Sequence, residues 1–162
     1  MQKEFADQLL DFGSQRAGRI AEAWYKDVST NSRTTGYRFI PPEACLRHAM
    51  AMYSHLAEMC FAEDSYEAVE KVLDAEGFAE DHFARGVALD EVLYAVTLLR
   101  RHLWFSAEKE AADSDVTDYY HGIDSINRVL LVFDYGTHII TRKYHEMAVK
   151  THMLQHPLNV SR

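Results

Sequence analysis

Along the C-terminal segment 115–153, apolar side chains recur at steps of three and four residues. This spacing is typical of one face of an α-helix, and its heptad-like regularity is typical of helices that pack along a seam. The sequence therefore predicts one long C-terminal helix. Its seam consists of Ile123, Ile126, Leu130, Phe133, Thr137, Ile140, Tyr144 and Met147.

A second apolar stripe, formed by Val129, Val132 and Ile139, lies beside this seam. One stripe is enough to attach a helix to its own domain, and soluble monomers avoid large exposed apolar patches. We therefore predict that Val129, Val132 and Ile139 form the interface of a two-fold homodimer, the commonest oligomer symmetry. The alternative is that helices of the same subunit cover both stripes.

The rest of the chain also has helical periodicity, and its few glycines and prolines leave little room for many short strands. A chain of 162 residues with 48% hydrophobic residues is long and apolar enough for one ordered domain. We predict an all-α domain of about six helices over residues 1–162, with a disordered tail from about residue 154. Periodicity does not separate a helical bundle from a globin-like arrangement. The predicted shorter helices span 2–28, 41–60, 65–75 and 89–109, with a short element between Gly77 and Gly86.

Acidic residues dominate the segment 62–91, where only Lys71 and Arg85 oppose them, and this segment accounts for the net charge of −8. An acidic surface repels phosphate groups, so nucleic acid and anionic membranes are poor partners. We interpret the segment as a solvated helix face, with Arg100 and Arg101 as its expected ion-pair partners. The alternative is that Arg100 and Arg101 line a ligand cavity together with Tyr94.

The sequence carries no N-terminal apolar leader and no uninterrupted apolar run of about 20 residues, so it predicts neither secretion nor a membrane span. Cys45 and Cys60 fall on the same predicted helix, about 22 Å apart, which is too far for a disulfide. Free thiols fit a reducing compartment, and the expected localisation is cytoplasmic.

Apolar patterns in 84–93, 98–104 and 126–135, and weaker ones in 37–46 and around Trp24, are similar to those of a known family. These segments resemble the N-terminal sensory domain of RsbRD-type co-antagonists of bacterial stress signalling, a domain type that also precedes some histidine kinases. The resemblance implies a globin-like fold, dimerisation through the last helices, and a non-catalytic sensory role in signal transduction. It also implies a signalling partner or a downstream output domain, and haem is present in some related sensors and absent from others.

Haem would need a histidine that faces an apolar pocket, and His82 is the best candidate because Phe78, Phe83 and Val87 surround it in sequence. Our first expectation is that the domain holds no cofactor, and a haem-binding gas sensor with His82 as ligand is the alternative. Without haem, His82 is expected to be a partly exposed residue of a charged segment, whose replacement by alanine leaves folding intact.

Other chemistry has little support in the sequence. His138, His145 and His152 recur every seven residues, about 10 Å apart, which is too far for one metal ion. His102 is expected to be a core or pocket histidine with a satisfied hydrogen bond. Because catalytic motifs such as G-x-S-x-G, a phosphate loop and C-x-x-C are missing, we predict that the chain is not an enzyme. A helical interaction module without a ligand stays open as a further alternative.

Overall fold

The computed structural model describes residues 16–111 and 119–156, and their side chains apart from those of 108, 110, 111 and 119–126. Every regular element in these ranges is helical, so the predicted all-α class with a long C-terminal helix is confirmed, consistent with a globin-like arrangement. After α1 (16–28) come a short 3₁₀ helix Thr35–Phe39, α2 Pro42–Ser54, α3 Leu56–Phe61, α4 Ser65–Glu76, α5 Phe78–Ala84, α6 Leu89–Ala111 and α7 Tyr119–Gln155.

Local sequence explains where several helices begin and end. Pro42 opens α2, where its missing N–H has no helical partner to lose. The Asp64 carboxylate caps α4 by accepting a hydrogen bond of 2.9 Å from the Glu67 amide. Gly77 ends α4 in the left-handed conformation, with φ of 58°, which glycine adopts without a steric cost.

The predicted helix 41–60 is wrong in one respect, because it is divided at His55 into α2 and α3. His55 leaves the helical conformation, with φ of −96° and ψ of 6°, although no proline or glycine marks the break. The break allows α3 to bury its own apolar residues against α7. Cys45 and Cys60 therefore lie on different helices, and both are free and buried. Burial raises the pKa of each thiol to about 12.

Helix α7 is the central element, because α3, α4, α5 and α6 all pack against it.

Hydrogen bonds from two buried aromatic side chains attach α1 and α2 to α6. The Trp24 indole donates a 2.9 Å hydrogen bond to the Ala95 carbonyl, and the Tyr53 hydroxyl donates one of 2.8 Å to the Leu99 carbonyl. Each bond satisfies a buried donor while its ring fills apolar volume.

The predicted dimer interface is wrong, because Val129, Val132 and Ile139 are core residues of one subunit. Their exposed fractions are 5%, 0% and 0%. Since four helices surround α7, both of its apolar stripes are covered by the same chain, and the alternative stated above holds. The side chains of Ile123 and Ile126 lie outside the described residues.

The last three turns of α7 differ from the rest of the helix. From His145 to His156 every side chain is exposed except that of Met147, which is half-buried. We call residues 145–156 the α7 overhang, because they extend past the other helices. Helical structure continues through Gln155, so the predicted disorder from residue 154 is wrong for Leu154 and Gln155, and 157–162 lie outside the described residues. None of the described helices has the length and apolar character that a membrane span requires.

Gly136 lies in the middle of α7, beside an apolar core cavity of about 10 Å³. A Cβ atom at this position would meet its nearest neighbour, Val69 Cγ1, at 3.9 Å, an ordinary van der Waals contact. We expect Gly136→Ala to stabilise the fold by about 0.5–1 kcal/mol, since alanine has the higher helix propensity. Thermal unfolding followed by circular dichroism measures this as a higher Tm.

Gly77→Ala is the matched control for this prediction. It adds the same methyl group in open space, but at a φ of 58° that strains any side chain, so its Tm should fall. A Tm for Gly136→Ala below that of the parent would show that the core around Gly136 has no room for a methyl group.

Candidate functional site

Two histidines face each other in the core, His48 on α2 and His82 on α5. Each is only 1% exposed, and their ring centroids lie 5.3 Å apart. His48 lies on the buried face of α2, and His82 follows Phe78 by one helical turn. Histidine is rarely buried this completely without a reason in packing, ligation or proton chemistry.

The hydrogen bonds assign a neutral tautomer to each ring. His82 Nδ1–H donates to the Phe78 carbonyl at 2.7 Å, which leaves Nε2 as an acceptor. His48 Nε2–H donates to Asp81 Oδ2 at 3.1 Å, which leaves Nδ1 as an acceptor. Neither acceptor has a partner among the described residues, and the same holds for the buried hydroxyl of Tyr37. Three unpaired polar atoms within one cluster of rings are costly, at about 1–3 kcal/mol each.

Aromatic rings enclose His82 on several sides. The centroid of the Phe78 ring lies 4.5 Å from that of His82, and the Tyr37 ring lies at 5.3 Å. Trp24 contacts the far side of Tyr37 edge-on, at 6.0 Å. We call His48, His82 and Tyr37 the buried polar cluster.

Burial controls the charge of both imidazoles. It lowers the pKa of His82 to about 4, and it lowers the pKa of His48 despite the opposing hydrogen bond to Asp81. Burial by itself would raise the pKa of Asp81, but hydrogen bonds from His48 and Arg85 outweigh it, and this pKa lies below its ordinary value. At neutral pH the site therefore holds two uncharged rings beside an ionised carboxylate.

The expectation that His82 is a partly exposed residue is wrong. Its segment is acidic, but the charged side chains lie on the outer face of α5, and His82 shares the inner face with Phe78 and Ala79. The expectation that His82→Ala leaves folding intact loses its basis, because the ring fills core volume.

Haem fits this site in one respect and fails in another. The tautomer of His82 presents a free Nε2, as an axial ligand requires. However, Nε2 is covered by neighbouring atoms, and the core cavity next to Phe78 has a volume of only about 10 Å³. Ligand pockets for molecules of drug size have volumes of roughly 300–1,000 Å³. The packed residues do not fit a porphyrin.

The cluster is linked to α7 through Val87 and Phe83. The Val87 amide donates a 3.0 Å hydrogen bond to the His82 carbonyl, and the Tyr144 hydroxyl donates one of 3.1 Å to the Val87 carbonyl. The ring of Phe83, the neighbour of His82, also packs edge-on against Tyr144 at 5.4 Å. A shift of α5 would therefore reach α7 at the point just before the overhang.

The remaining predicted residues have structural roles. His102 is partly buried, and its Nε2 forms the expected hydrogen bond, with Asp27 Oδ2 at 3.0 Å. The prediction for Arg100 and Arg101 is wrong, because basic residues of α7 and α2 pair with the acidic segment instead. These pairs are Arg142 with Glu70, Lys143 with Asp74 and Glu80, and Arg47 with Glu76.

Sequence reasoning missed His48 and Tyr37. His48 follows Cys45 by three residues and precedes Met52 by four, so it shares their apolar face, and helical periodicity could have found it. Tyr37 lies in a 3₁₀ turn that the sequence did not predict. No group of three or more potential metal ligands occurs in the described ranges.

Comparison with protein-family models, with curated proteins and with solved structures finds no match. The resemblance to RsbRD-type domains therefore stays a prediction.

Proposed function

We propose that this chain is a non-catalytic sensory or regulatory domain of bacterial signal transduction, in which the buried polar cluster controls α7 and the α7 overhang passes the signal on. The observation that carries the proposal is a buried cluster, three of whose polar atoms have no partner among the described residues, linked through Val87 to α7, which extends past the other described helices. Buried polar atoms without a protein partner are uncommon in cores, and functional sites are among the places where they occur.

Burial of both imidazoles supports a regulatory role over a catalytic one, because a substrate has no access to either ring. The resemblance to RsbRD-type sensory domains supports the same assignment and suggests a cytoplasmic protein. An energetic change at the cluster would act on two alternative positions of α5 and α7, the kind of bistable element on which allosteric coupling depends.

The output that we propose is homodimerisation through the overhang rather than through the buried stripe. Val149, Met153 and Leu154 are 38%, 66% and 75% exposed, and they share one part of the helix surface. Two copies of such a helix remove this apolar surface from water by packing against each other. Dimerisation through the overhang also places a partner or an output domain next to the helix that carries the signal.

Light scattering tests both parts of the proposal. We expect a dimer mass at tens of micromolar protein, and Leu154→Glu should give a folded monomer because it places a charge in the proposed interface. Leu131→Glu is the matched control, since Leu131 is an exposed apolar residue in the body of α7 and should leave the dimer intact. A parent monomer, or a monomer caused by Leu131→Glu alone, would contradict the interface.

The same measurement tests the sensory part. His82→Gln keeps a hydrogen-bond donor but alters the buried polar cluster, so we expect it to change the dimer dissociation constant by about 5-fold or more. His102→Gln alters a histidine bonded to Asp27, remote in sequence from α5, and should leave the constant unchanged. If both variants dimerise like the parent, the chain is an interaction module without a sensing core.

A further inference from the structure

His152 lies in the last turn of α7, and His156 directly follows Gln155, the last residue of the helix, one helical turn beyond His152. The His156 amide donates a 3.0 Å hydrogen bond to the His152 carbonyl, so the helical turn is complete through both residues. Their ring centroids lie 4.8 Å apart, with an angle of 51° between the ring planes. Both side chains are exposed, and no hydrogen bond or ion pair to a described residue occupies either ring.

We propose that His152 and His156 form a two-histidine chelate for a divalent transition-metal ion, with Cu²⁺ as the preferred ion. Imidazole is a good ligand for Cu²⁺, Ni²⁺ and Zn²⁺, and the Irving–Williams order places Cu²⁺ first. Two ligand nitrogens at about 2.0–2.1 Å from one ion lie roughly 3 Å apart. Rings whose centroids are 4.8 Å apart on one helical turn reach this separation by rotation of their side chains.

The position of the pair favours a cation. It lies at the C-terminal end of α7, where the partial negative charge of the helix dipole attracts positive ions. Because the helix already holds the two residues one turn apart, binding at one ring places the second ring at a high effective concentration. Water completes the coordination of the ion.

The other histidines of the described chain do not offer the same arrangement. His145 lies two helical turns before His152, roughly 10 Å away, which is beyond the reach of one ion. His48 and His82 are covered by the core, and burial keeps the thiols of Cys45 and Cys60 protonated. The remaining three described histidines are already hydrogen-bonded: His55 to Glu58 at 2.9 Å, His102 to Asp27 at 3.0 Å and His138 to Tyr66 at 3.1 Å. The pair at 152 and 156 is therefore the exposed chelate that α7 provides.

Titration calorimetry with Cu²⁺, on the full chain without an added histidine tag, tests this proposal. We expect one saturable site per chain, and His152→Ala and His156→Ala should each weaken it by about 100-fold, because the effective-concentration advantage is lost. His145→Ala is the matched control, since it removes an exposed histidine from the same helix and should leave the affinity unchanged. Mg²⁺, which prefers oxygen ligands, should not bind at this site.

Electron paramagnetic resonance of the Cu²⁺ complex gives a second measurement that does not depend on affinity. Coupling to two imidazole nitrogens is expected in the parent and in His145→Ala, and coupling to only one in His152→Ala or His156→Ala. Alanine is a better helix former than histidine, so these variants keep the overhang helical. The proposal is overturned if both single variants bind Cu²⁺ as the parent does, or if His145→Ala loses as much affinity as they do.

Discussion

Acidification from about pH 7 to pH 4 is expected to lower the free energy of unfolding by about 3 kcal/mol through His82 alone. Burial lowers the pKa of His82 from the ordinary 6.5 to about 4 in the folded protein. Between these two values the unfolded chain binds a proton that the folded chain does not bind. The contribution of His82 to the free energy of unfolding is therefore fully present above about pH 6.5. It is lost as the pH decreases from 6.5 to 4, and His82 causes no further loss below that range.

The surroundings of the cluster strengthen this expectation. Burial also lowers the pKa of His48, so its titration acts in the same direction. Arg47 and Arg85 disfavour additional positive charge on the nearby rings, whereas Asp81 and Glu76 favour it, and burial outweighs the two acids. Protonation of either ring places a charge among aromatic side chains, so the loss of stability should first loosen the contact between α2 and α5.

Urea unfolding at several pH values measures the effect. His82→Gln should be less stable than the parent near neutral pH, because the ring fills core volume, but its stability should fall less on acidification. His145→Gln changes an exposed histidine of the overhang and should keep the dependence of the parent. Equal unfolding free energies for the parent at pH 7 and pH 4.5 would show that protonation of the cluster does not destabilise the fold, and would contradict the prediction.

The predicted proton dependence could not have come from the sequence. The segment 62–91 contains mostly acids, and composition alone suggests that a histidine within it is exposed and charged at mild acidity. Helix α5 has only seven residues, so its apolar face consists of Phe78, Ala79 and His82, too few for periodicity to reveal. Burial of His82 follows from the packing of α5 against α2 and the 3₁₀ turn, and this packing is tertiary information.

The difference between local periodicity and tertiary packing also explains which parts of the fold were predictable. The bounds predicted for the helices at 65–75 and 89–109 agree closely with α4 and α6, because each carries one apolar face and a clear start. Periodicity also identified the two apolar stripes of α7. Periodicity does not show how many neighbours cover these stripes, so it predicts a dimer interface at Val129, Val132 and Ile139, which are buried within their own chain.

The largest loss of stability is expected for Phe133→Ala, at about 3–5 kcal/mol. Phe133 is 2% exposed on α7, and it lines the core cavity together with Gly136 and Ile140. Truncation to alanine removes apolar contacts and enlarges the core cavity that is already present. Because α3, α4, α5 and α6 all pack against α7, little collapse around the new cavity is possible.

Leu130→Ala is the comparison within the same seam. Both residues belong to the predicted seam, but Leu130 is only half-buried, so its truncation exposes less new surface and leaves a site that water can enter. We expect it to cost less than about 2 kcal/mol. Urea denaturation at neutral pH measures both variants. Because Gly136 borders the same cavity, the loss caused by Phe133→Ala should be smaller in a Gly136→Ala background, whereas the effect of Leu130→Ala should simply add. A cost for Leu130→Ala equal to that of Phe133→Ala would mean that burial along α7 does not determine which seam residues hold the domain together.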